Sequence, residues 1–185
     1  QTVFPIVLPI WLGYMSENSA SVAAGAGVVH SINFGLWDLA CLGGCGATIG
    51  LVAVMFFASK SKRYKAFGKI VFPCGIFSIN EPVVFGMPLM LNVMTIIPFV
   101  ICPIVTSSVG YLLMKLGIIA PYIGILGTGS LPPLFHGIIN GSVSAGIYEL
   151  FAVAISALIW YPFFKVLDEQ AYKEEQEKIG AEAHD

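Results

Sequence analysis

The clearest signal for the fold is the segment Cys74-Gly75-Ile76-Phe77-Ser78-Ile79-Asn80-Glu81-Pro82-Val83-Val84-Phe85-Gly86-Met87-Pro88. It is apolar enough for a membrane interior, but it carries one carboxylate, Glu81, among several helix breakers. An acidic side chain at the centre of a membrane helix costs about 2.5–3.5 kcal/mol on insertion scales, so such residues usually face a cavity, a partner or a substrate. Pro82 donates no amide hydrogen and disfavours helical backbone at Glu81, and irregular backbone at membrane depth is stable only inside protein or beside water. With Asn80 alongside, the stretch predicts a polar ligand site inside a membrane protein.

The composition places the chain in a lipid bilayer. Of its 185 residues, 57% are hydrophobic and only 11% are charged, whereas about 25% are charged in soluble domains. The net charge of -2 conceals a basic stretch from Lys60 to Lys69 and an acidic tail from Asp168 onward. In a soluble protein the basic stretch could bind nucleic acid, but here apolar segments flank it, so it is predicted to be a cytoplasmic loop. We therefore expect a lipid membrane, and no nucleic acid, among the partners.

The four cysteines lie in apolar surroundings and are interpreted as small core residues. Cys41 and Cys45 are close in sequence and His30 lies upstream, but nothing supplies a second pair of ligands, so we expect no metal and no cofactor. No basic segment precedes an apolar run at the amino terminus, which argues against a signal peptide. Because the first residue is Gln1 rather than methionine, we expect a fragment of a longer chain.

Three stretches are long enough to cross a bilayer, which takes about 20 apolar residues. They are Leu39–Ala58, Leu89–Met114 and Ser142–Val166. Glycines between Leu42 and Gly50 predict a break before the first of these helices becomes regular, and Pro98 and Pro103 predict kinks in the second. The apolar residues 1–12 are interpreted as the end of a membrane segment or as an interfacial element, and the acidic tail is predicted to be helical.

Two further segments, 70–88 and 117–137, contain too much proline and glycine for plain spanning helices. We interpret both as re-entrant or broken. If each returns to the side from which it entered, the carboxy-terminal tail shares the cytoplasm with the basic stretch, in agreement with the positive-inside rule. Paired broken segments are typical of transporters, in which they meet around a substrate site at the midplane. The predicted fold is an all-α integral membrane protein of transmembrane helices with re-entrant or broken hairpins.

Residues 75–88, with Asn80-Glu81-Pro82 at their centre, resemble the signature of enzyme IIC. Enzyme IIC is the membrane permease of the bacterial phosphoenolpyruvate-dependent sugar phosphotransferase system, and the resemblance is to its lactose/cellobiose type. Other stretches agree in the same order: Gly43-Gly44-Cys45-Gly46-Ala47-Thr48 is similar to the family's Gly-Gly-Ser-Gly-Ala-Thr, Ser59–Lys69 to its basic loop, and Pro132-Pro133 and Tyr161–Asp168 also fit. The departures are Cys45 for the family's serine and Ser78 for its frequent asparagine, and they bear on sugar preference more than on fold.

The resemblance implies a multi-pass permease of the bacterial inner (plasma) membrane that binds a β-linked disaccharide from outside. A separate IIB partner then phosphorylates the sugar from a phosphocysteine, so whether this chain itself counts as an enzyme stays open. The resemblance also implies a homodimer in the full-length form, with residues 1–167 as the carboxy-terminal, sugar-carrying domain and residues 168–185 as a polar cytoplasmic tail. The amino-terminal half is expected to be absent, together with a family histidine that helps hold the sugar, and His30 does not take over that role.

The resemblance assigns substrate binding and a catalytic role to Glu81. Its carboxylate can accept hydrogen bonds from two sugar hydroxyls and can orient or deprotonate the one that takes up phosphate, an effect of about 10²–10⁴-fold. The alternative is a buried acid that caps backbone amides. Asn80 either binds neighbouring hydroxyls or satisfies the loop backbone. Gly44, Gly46 and Thr48 either let the backbone approach the sugar or, as we favour, permit close helix packing.

Other polar residues have two interpretations as well. His136 either contacts the substrate or is a hydrogen-bonded structural histidine, which is the interpretation we favour. Trp37 and Asp38 either stack on the sugar and accept its hydrogen bonds or lie at the membrane interface. Glu17 and Glu149 are expected to be solvated or paired near the membrane boundaries.

Two other functions fit the same sequence. An ion-coupled secondary transporter or a channel would also place an acid such as Glu81 at a helix break, to bind a cation or a proton. A truncated membrane remnant would transport nothing and would act only as a scaffold. Uptake that depends on phosphoenolpyruvate indicates the phosphotransferase permease, whereas uptake driven by an ion gradient indicates the secondary transporter or channel. Sugar binding by the purified product distinguishes the permease from a remnant that transports nothing.

Overall fold

The computed structural model describes residues 4–87, 89 and 92–182, and the regular elements in these residues are all helical. Eight α-helices follow one another in this part of the chain: α1 Phe4–Ala23, α2 Phe34–Ala40, α3 Ile49–Ala58, α4 Lys62–Ile76, α5 Glu81–Gly86, α6 Val93–Lys115, α7 Pro133–Asn140 and α8 Val143–Glu182. A short 3₁₀ turn at Thr128–Ser130 precedes α7. The predicted all-α fold of long apolar helices and broken hairpins is confirmed.

Two of these helices, α6 and α8, are long and apolar enough to cross a membrane, and both coincide with predicted crossings. The remaining predicted crossing contains a regular helix of only 10 residues, α3. At about 1.5 Å per residue it spans half of a hydrocarbon core about 30 Å thick. The break predicted ahead of it is confirmed at residues 41–48, where Gly43, Gly44 and Gly46 have left-handed φ angles of 73°, 97° and 83°.

The short helix α3 lies in the larger core, where it packs against α4 and α8. Leu51 and Met55 of α3 and Trp160 of α8 are completely buried. Gly50 permits the close approach of α3 to α8, because a Cβ atom on it would lie 2.2 Å from the Ser156 hydroxyl oxygen. This packing fixes the position of the break that precedes α3.

The basic stretch is mostly helical, which corrects the prediction of a loop. Ser61 is the N-cap of α4, and its hydroxyl accepts a hydrogen bond from the Tyr64 amide at 3.3 Å. Glu175 of α8 accepts hydrogen bonds from the amides of Lys62 and Arg63, both at 3.0 Å. A carboxylate at a helix amino terminus satisfies free amides and interacts favourably with the helix dipole. The polar tail, which is helical as predicted and continuous with α8, thus stabilises the start of α4.

The connection between α3 and α4 is also held by Asp168, a buried residue of α8. Its carboxylate accepts hydrogen bonds from the Ser59 hydroxyl at 2.6 Å, the Lys60 amide at 2.7 Å and the Ser61 amide at 3.1 Å. Three donors on one buried carboxylate replace the hydration that it loses on folding. The α3–α4 connection is therefore fastened to α8 at two points, Asp168 and Glu175.

The first broken segment bends later than its sequence predicts. Helix α4 passes through Pro73, and the break covers residues 77–80, where Ser78 has a left-handed φ of 59°. Glu81 then opens α5, so the prediction of non-helical backbone at Glu81 is wrong. The physical reason is the place of Pro82 in the first helical turn, where a missing amide hydrogen removes no helical hydrogen bond.

The second broken segment stays irregular, apart from the 3₁₀ turn, until α7 begins at Pro133. Two buried asparagines hold it in place. The Asn140 carboxamide oxygen accepts a hydrogen bond from the Ile125 amide at 2.7 Å, and the Asn33 carboxamide donates to the Tyr122 carbonyl at 2.5 Å. Irregular backbone is stable here because buried side chains satisfy its polar groups.

Candidate functional site

The break before α3, the two broken segments and α2 surround a cavity of about 400 Å³. The volume is in the range of small-molecule sites. The lining combines acidic, amide, hydroxyl, thiol and aromatic side chains with glycine backbone: Phe34, Trp37, Asp38, Cys41, Gly44, Cys45, Ser78, Asn80, Glu81, Leu126, Gly127, Gly129 and Ser130. The segments that the sequence predicts to be broken thus meet around one polar cavity.

A second cavity, of about 420 Å³, lies between α6 and α8 and differs in chemistry. Its lining is apolar except for Ser144 and Tyr148, and the Tyr148 hydroxyl already donates a hydrogen bond to the Thr106 carbonyl at 2.6 Å. This cavity offers a hydrophilic ligand almost no hydrogen-bond partner, and it lies on the two helices that are apolar enough to face lipid. We therefore assign the functional site to the polar cavity.

Glu81 lines the polar cavity from the start of α5, and its side chain is exposed there. The ion pairs in the described part of the chain involve other carboxylates, and Glu81 forms none with the described residues. Its oxygens also accept no hydrogen bond within that part of the chain, so the contacts do not support the alternative in which Glu81 caps backbone amides. The carboxylate is positioned to accept hydrogen bonds from a ligand.

Asn80 joins the two breaks that flank the cavity. Its side-chain amide donates a hydrogen bond to the Cys45 carbonyl at 3.0 Å. Gly44 makes room for it, because a Cβ atom there would lie 2.3 Å from the Asn80 Cγ atom. Asn80 therefore satisfies loop backbone, one of its two predicted roles, while it also lines the cavity.

Gly46 and Thr48 do not belong to the cavity lining, whereas Gly44 does. A Cβ atom on Gly46 would lie 2.3 Å from the Phe99 ring, so this glycine serves close packing. Thr48 is buried, and its hydroxyl donates to the Gly43 carbonyl at 2.6 Å. Both residues shape the break, in agreement with the packing role favoured from the sequence.

His136 is buried behind the cavity and lies between two carboxylates. Its Nδ1 atom is 2.5 Å from Glu149 Oε1, and its Nε2 atom is 3.4 Å from Asp38 Oδ2. The Gly137 amide donates to the other oxygen of Glu149 at 3.1 Å. Glu149 is 0% exposed and is paired, as one of its alternatives predicts, because α7 and α8 pack it against the imidazole of His136. His136 itself does not line the cavity, but Asp38 does.

The other polar candidates are divided between the cavity and the surface. Trp37 and Asp38 both line the cavity, as the first of their two alternatives requires. Glu17 is paired, as one of its alternatives predicts, because its carboxylate lies 2.6 Å from His30 Nε2. The His30 ring also stacks on Tyr14. His30 therefore has local partners, away from the cavity lining.

Sequence reasoning missed Phe34, Cys41 and the 126–130 turn as parts of the lining, and the interpretation of Cys45 as a core residue is wrong, since it is exposed in the cavity. The signal for the turn was present, since it lies within a segment predicted to be broken and paired with the Glu81 segment. Within the described residues, no group of three or more histidine, cysteine, aspartate or glutamate side chains is arranged to hold a metal ion.

The cavity combines two carboxylates, Glu81 and Asp38, with the Asn80 amide and the face of Trp37. Carboxylates accept hydrogen bonds, an amide both donates and accepts, and an aromatic ring offers apolar contact area, which together suit a ring that carries many hydroxyls. The helices and this cavity are those of a helical membrane protein in which discontinuous helices meet around a polar cavity, an arrangement typical of transporters.

The profile of the family described as "Phosphotransferase system, EIIC" matches residues 1–103. The chain belongs to this family of membrane permeases. It is 37% identical over 175 residues to the "Lichenan permease IIC component" of Bacillus subtilis (strain 168), an alignment that covers 93% of this chain and 39% of that relative. It is 34% identical over 188 residues to the "PTS system lactose-specific EIICB component" of Lacticaseibacillus casei, covering 95% of this chain and 31% of the relative.

A solved structure has the same fold. The crystal structure of the transporter ChbC, the IIC component from the N,N'-diacetylchitobiose-specific phosphotransferase system, superposes with a TM-score of 0.89 at 36% sequence identity. The superposition covers 94% of this chain and 41% of ChbC. The chain thus spans between 31% and 41% of the length of these relatives. The family predicted from the Asn80-Glu81-Pro82 stretch is confirmed.

Proposed function

We propose that this chain carries a β-linked disaccharide across the bacterial inner membrane and presents it to a IIB partner for phosphorylation. The observation that carries the proposal is the position of Glu81 in the polar cavity, without an ion pair to any described residue. The names of the relatives support the choice of ligand, since they specify lichenan, lactose and N,N'-diacetylchitobiose, all with β-linked sugars. A relative described as an EIICB component supports the IIB partner.

In this proposal Glu81 both binds the sugar and acts in phosphoryl transfer. A sugar hydroxyl donates a hydrogen bond to the carboxylate, which orients the hydroxyl oxygen towards the phosphocysteine of IIB. The oxygen attacks phosphorus, the S–P bond breaks, the thiolate of IIB leaves, and the hydroxyl proton passes to Glu81. Such general-base assistance is typically worth about 10²–10⁴-fold. Asn80 and Gly44 line the same cavity and contribute further contacts to the sugar.

The proposed arrangement in the membrane places residues 1–167 in the sugar-carrying domain and residues 168–185 in a cytoplasmic tail. The contacts of Asp168 and Glu175 with residues 59–63 support a common side for the tail and the basic stretch. The positive-inside rule assigns that side to the cytoplasm. The complete permease is proposed to be a homodimer, which light scattering of the detergent-solubilised protein tests by its mass.

The decisive experiment measures uptake of radiolabelled cellobiose, lactose and N,N'-diacetylchitobiose into membrane vesicles that contain the permease carrying this chain. Vesicles are loaded either with phosphoenolpyruvate, the general phosphotransferase proteins and IIB, or with buffer under an imposed proton or sodium gradient. We expect accumulation of phosphorylated sugar in the first case only. Omission of IIB is the matched control, and it is expected to abolish phosphorylation while leaving sugar binding intact.

The alternatives make different predictions for the same vesicles. Uptake that follows the ion gradient and ignores phosphoenolpyruvate would identify an ion-coupled transporter, in which Glu81 binds the coupling ion. A purified protein that binds none of the sugars by calorimetry would instead fit a remnant that transports nothing. Either result would overturn the proposed function.

A further inference from the structure

Asp38 is the second carboxylate of the polar cavity, and its two oxygens have different surroundings. Oδ2 is buried and forms no hydrogen bond with the part of the chain that the structure describes. It faces Nε2 of His136 at 3.4 Å, and this nitrogen is buried and without a hydrogen bond there as well. Oδ1 is not among the buried atoms that lack a hydrogen bond in this part of the chain, and Asp38 lines the cavity, so Oδ1 is the oxygen that a ligand there can reach.

His136 is held from its other side. Nδ1 lies 2.5 Å from Glu149 Oε1, and the Gly137 amide donates to Oε2 of the same carboxylate. The Tyr122 ring stacks on the imidazole, with centroids 5.9 Å apart and an interplanar angle of 24°. Glu149 has no exposed surface, so its contacts are set by packing rather than by solvent. The position of the imidazole is therefore determined from behind the cavity.

Asp38, His136 and Glu149 thus form a chain of three ionisable side chains that reaches the cavity at one end only. A buried carboxylate is costly unless it is paired, and within the described residues the imidazole of His136 is the group that pairs with both acids. An imidazole that carries hydrogens on both nitrogens can donate to both carboxylates at once. Loss of Glu149 would leave the imidazole free to turn away from Asp38.

From this geometry we infer that Asp38 binds a sugar hydroxyl through Oδ1, in the same cavity as Glu81, and that His136 and Glu149 are positioning residues that align Asp38 for this contact. The inference rests on the proposed function and adds a second ligand contact and its supporting residues. It has an unusual consequence: Glu149, which does not line the cavity, controls sugar affinity through two other side chains.

The test is a double-mutant cycle on sugar affinity in the permease carrying this chain. Cellobiose, lactose and N,N'-diacetylchitobiose are titrated by calorimetry, and the sugar that the wild type binds is used throughout. Asp38→Asn is expected to weaken binding about 10- to 100-fold, the usual effect of losing a hydrogen bond to a charged group. Glu149→Gln is expected to weaken it about 3- to 10-fold, but to change it less than about 2-fold when Asp38→Asn is already present.

If Glu149 is merely structural, Glu149→Gln weakens sugar binding by the same factor in the wild type and in the Asp38→Asn variant. Additive effects in the cycle would therefore overturn the inference. Tyr148→Phe is the matched control, since Tyr148 adjoins Glu149 on α8 but donates its hydrogen bond to Thr106. This control is expected to keep wild-type affinity. If Glu149→Gln does not fold, as judged by size-exclusion chromatography, the same cycle with His136→Gln in place of Glu149→Gln measures the coupling.

The outcomes also separate this inference from the function on which it depends. A wild-type protein that binds none of the sugars overturns the proposed function and the inference with it. Sugar binding that is weakened by Glu81→Gln but unchanged by Asp38→Asn supports the function and overturns the inference alone.

Discussion

The Asn80 side chain donates a hydrogen bond to the Cys45 carbonyl at 3.0 Å and thereby connects two separate breaks in the helical fold. One break precedes α3 and the other precedes α5, so this bond joins two walls of the polar cavity. The contact needs a residue without a side chain at position 44, where φ is 97° and a Cβ atom would overlap Asn80. Backbone conformation and packing therefore both require Gly44.

Gly44→Ala is expected to destabilise the protein and to reduce sugar affinity. Left-handed backbone alone costs a residue with a Cβ atom about 1–2 kcal/mol, and displacement of Asn80 adds to this cost. A lower unfolding temperature in detergent and weaker binding by calorimetry measure the two effects. Gly13→Ala is the control: Gly13 lies within helix α1 with nothing near its added Cβ, so this variant is expected to be neutral or slightly stabilised.

Glu81→Gln is expected to weaken sugar binding at least about 10-fold and IIB-dependent phosphorylation by about 10²-fold or more, while membrane insertion stays intact. Glutamine keeps the shape of the side chain but neither takes a proton nor accepts as strongly. Binding by calorimetry and the initial rate of phosphorylation are the measurements. Glu174→Gln, in the exposed polar part of α8, provides a control with the same change of charge. Unchanged phosphorylation by Glu81→Gln would remove this residue from the site.

Asp168→Asn is expected to lower the free energy of unfolding by about 2–3 kcal/mol. The buried carboxylate accepts three hydrogen bonds from residues 59–61, and an asparagine turns an amide group towards at least one of these donors. Thermal unfolding in detergent measures the change. Glu169→Gln, at the next and exposed position, is expected to leave the unfolding temperature within error. Equal stability of the two variants would contradict the assigned role of Asp168.

The contact between Glu175 and the start of α4 is expected to depend on pH. The Ser61 hydroxyl, followed by the amides of Arg63 and Lys62, lowers the pKa of Glu175 from its ordinary value of 4.5. A lowered pKa in the folded state means that the contact stabilises the protein above the ordinary pKa and that this stabilisation is lost as the pH falls through the folded pKa. At neutral pH the contact is therefore fully formed.

Carbon-13 NMR titration of the Glu175 carboxyl group tests this dependence in the detergent-solubilised protein. Ser61→Ala removes the largest cause of the shift, so the pKa of Glu175 is expected to rise towards 4.5. Ser107→Ala, on α6, is expected to leave the titration unchanged. A titration of Glu175 that does not respond to Ser61→Ala would refute the predicted dependence.

The sequence predicted the features that depend on local chemistry. Glycines at 43–46 predicted a break, and Glu81 beside Pro82 predicted a polar site at a discontinuity, because both signals concern neighbours along the chain. The exact backbone state at Glu81 was mispredicted, since a proline that disfavours a helix before it also begins a helix well. Which effect wins depends on the hydrogen bonds of the preceding turn.

The chain from Asp38 to Glu149 could not be predicted, for a different reason. Its members lie on α2, α7 and α8, and only the packing of these helices brings them together. Nothing in the residues around Glu149 distinguishes a carboxylate paired with an imidazole from one that faces solvent near a membrane boundary. Burial of this kind is a property of tertiary structure.

Helix α8 runs without a break from Val143 to Glu182 and carries carboxylates that bind other elements at two distant places along its length. Near one end Glu149 contacts His136 behind the cavity, and towards the other end Asp168 and Glu175 bind the α3–α4 connection and the start of α4. One element therefore connects the buried imidazole with the segment that carries basic residues 60–63, and a substitution in either group of contacts acts on the same helix.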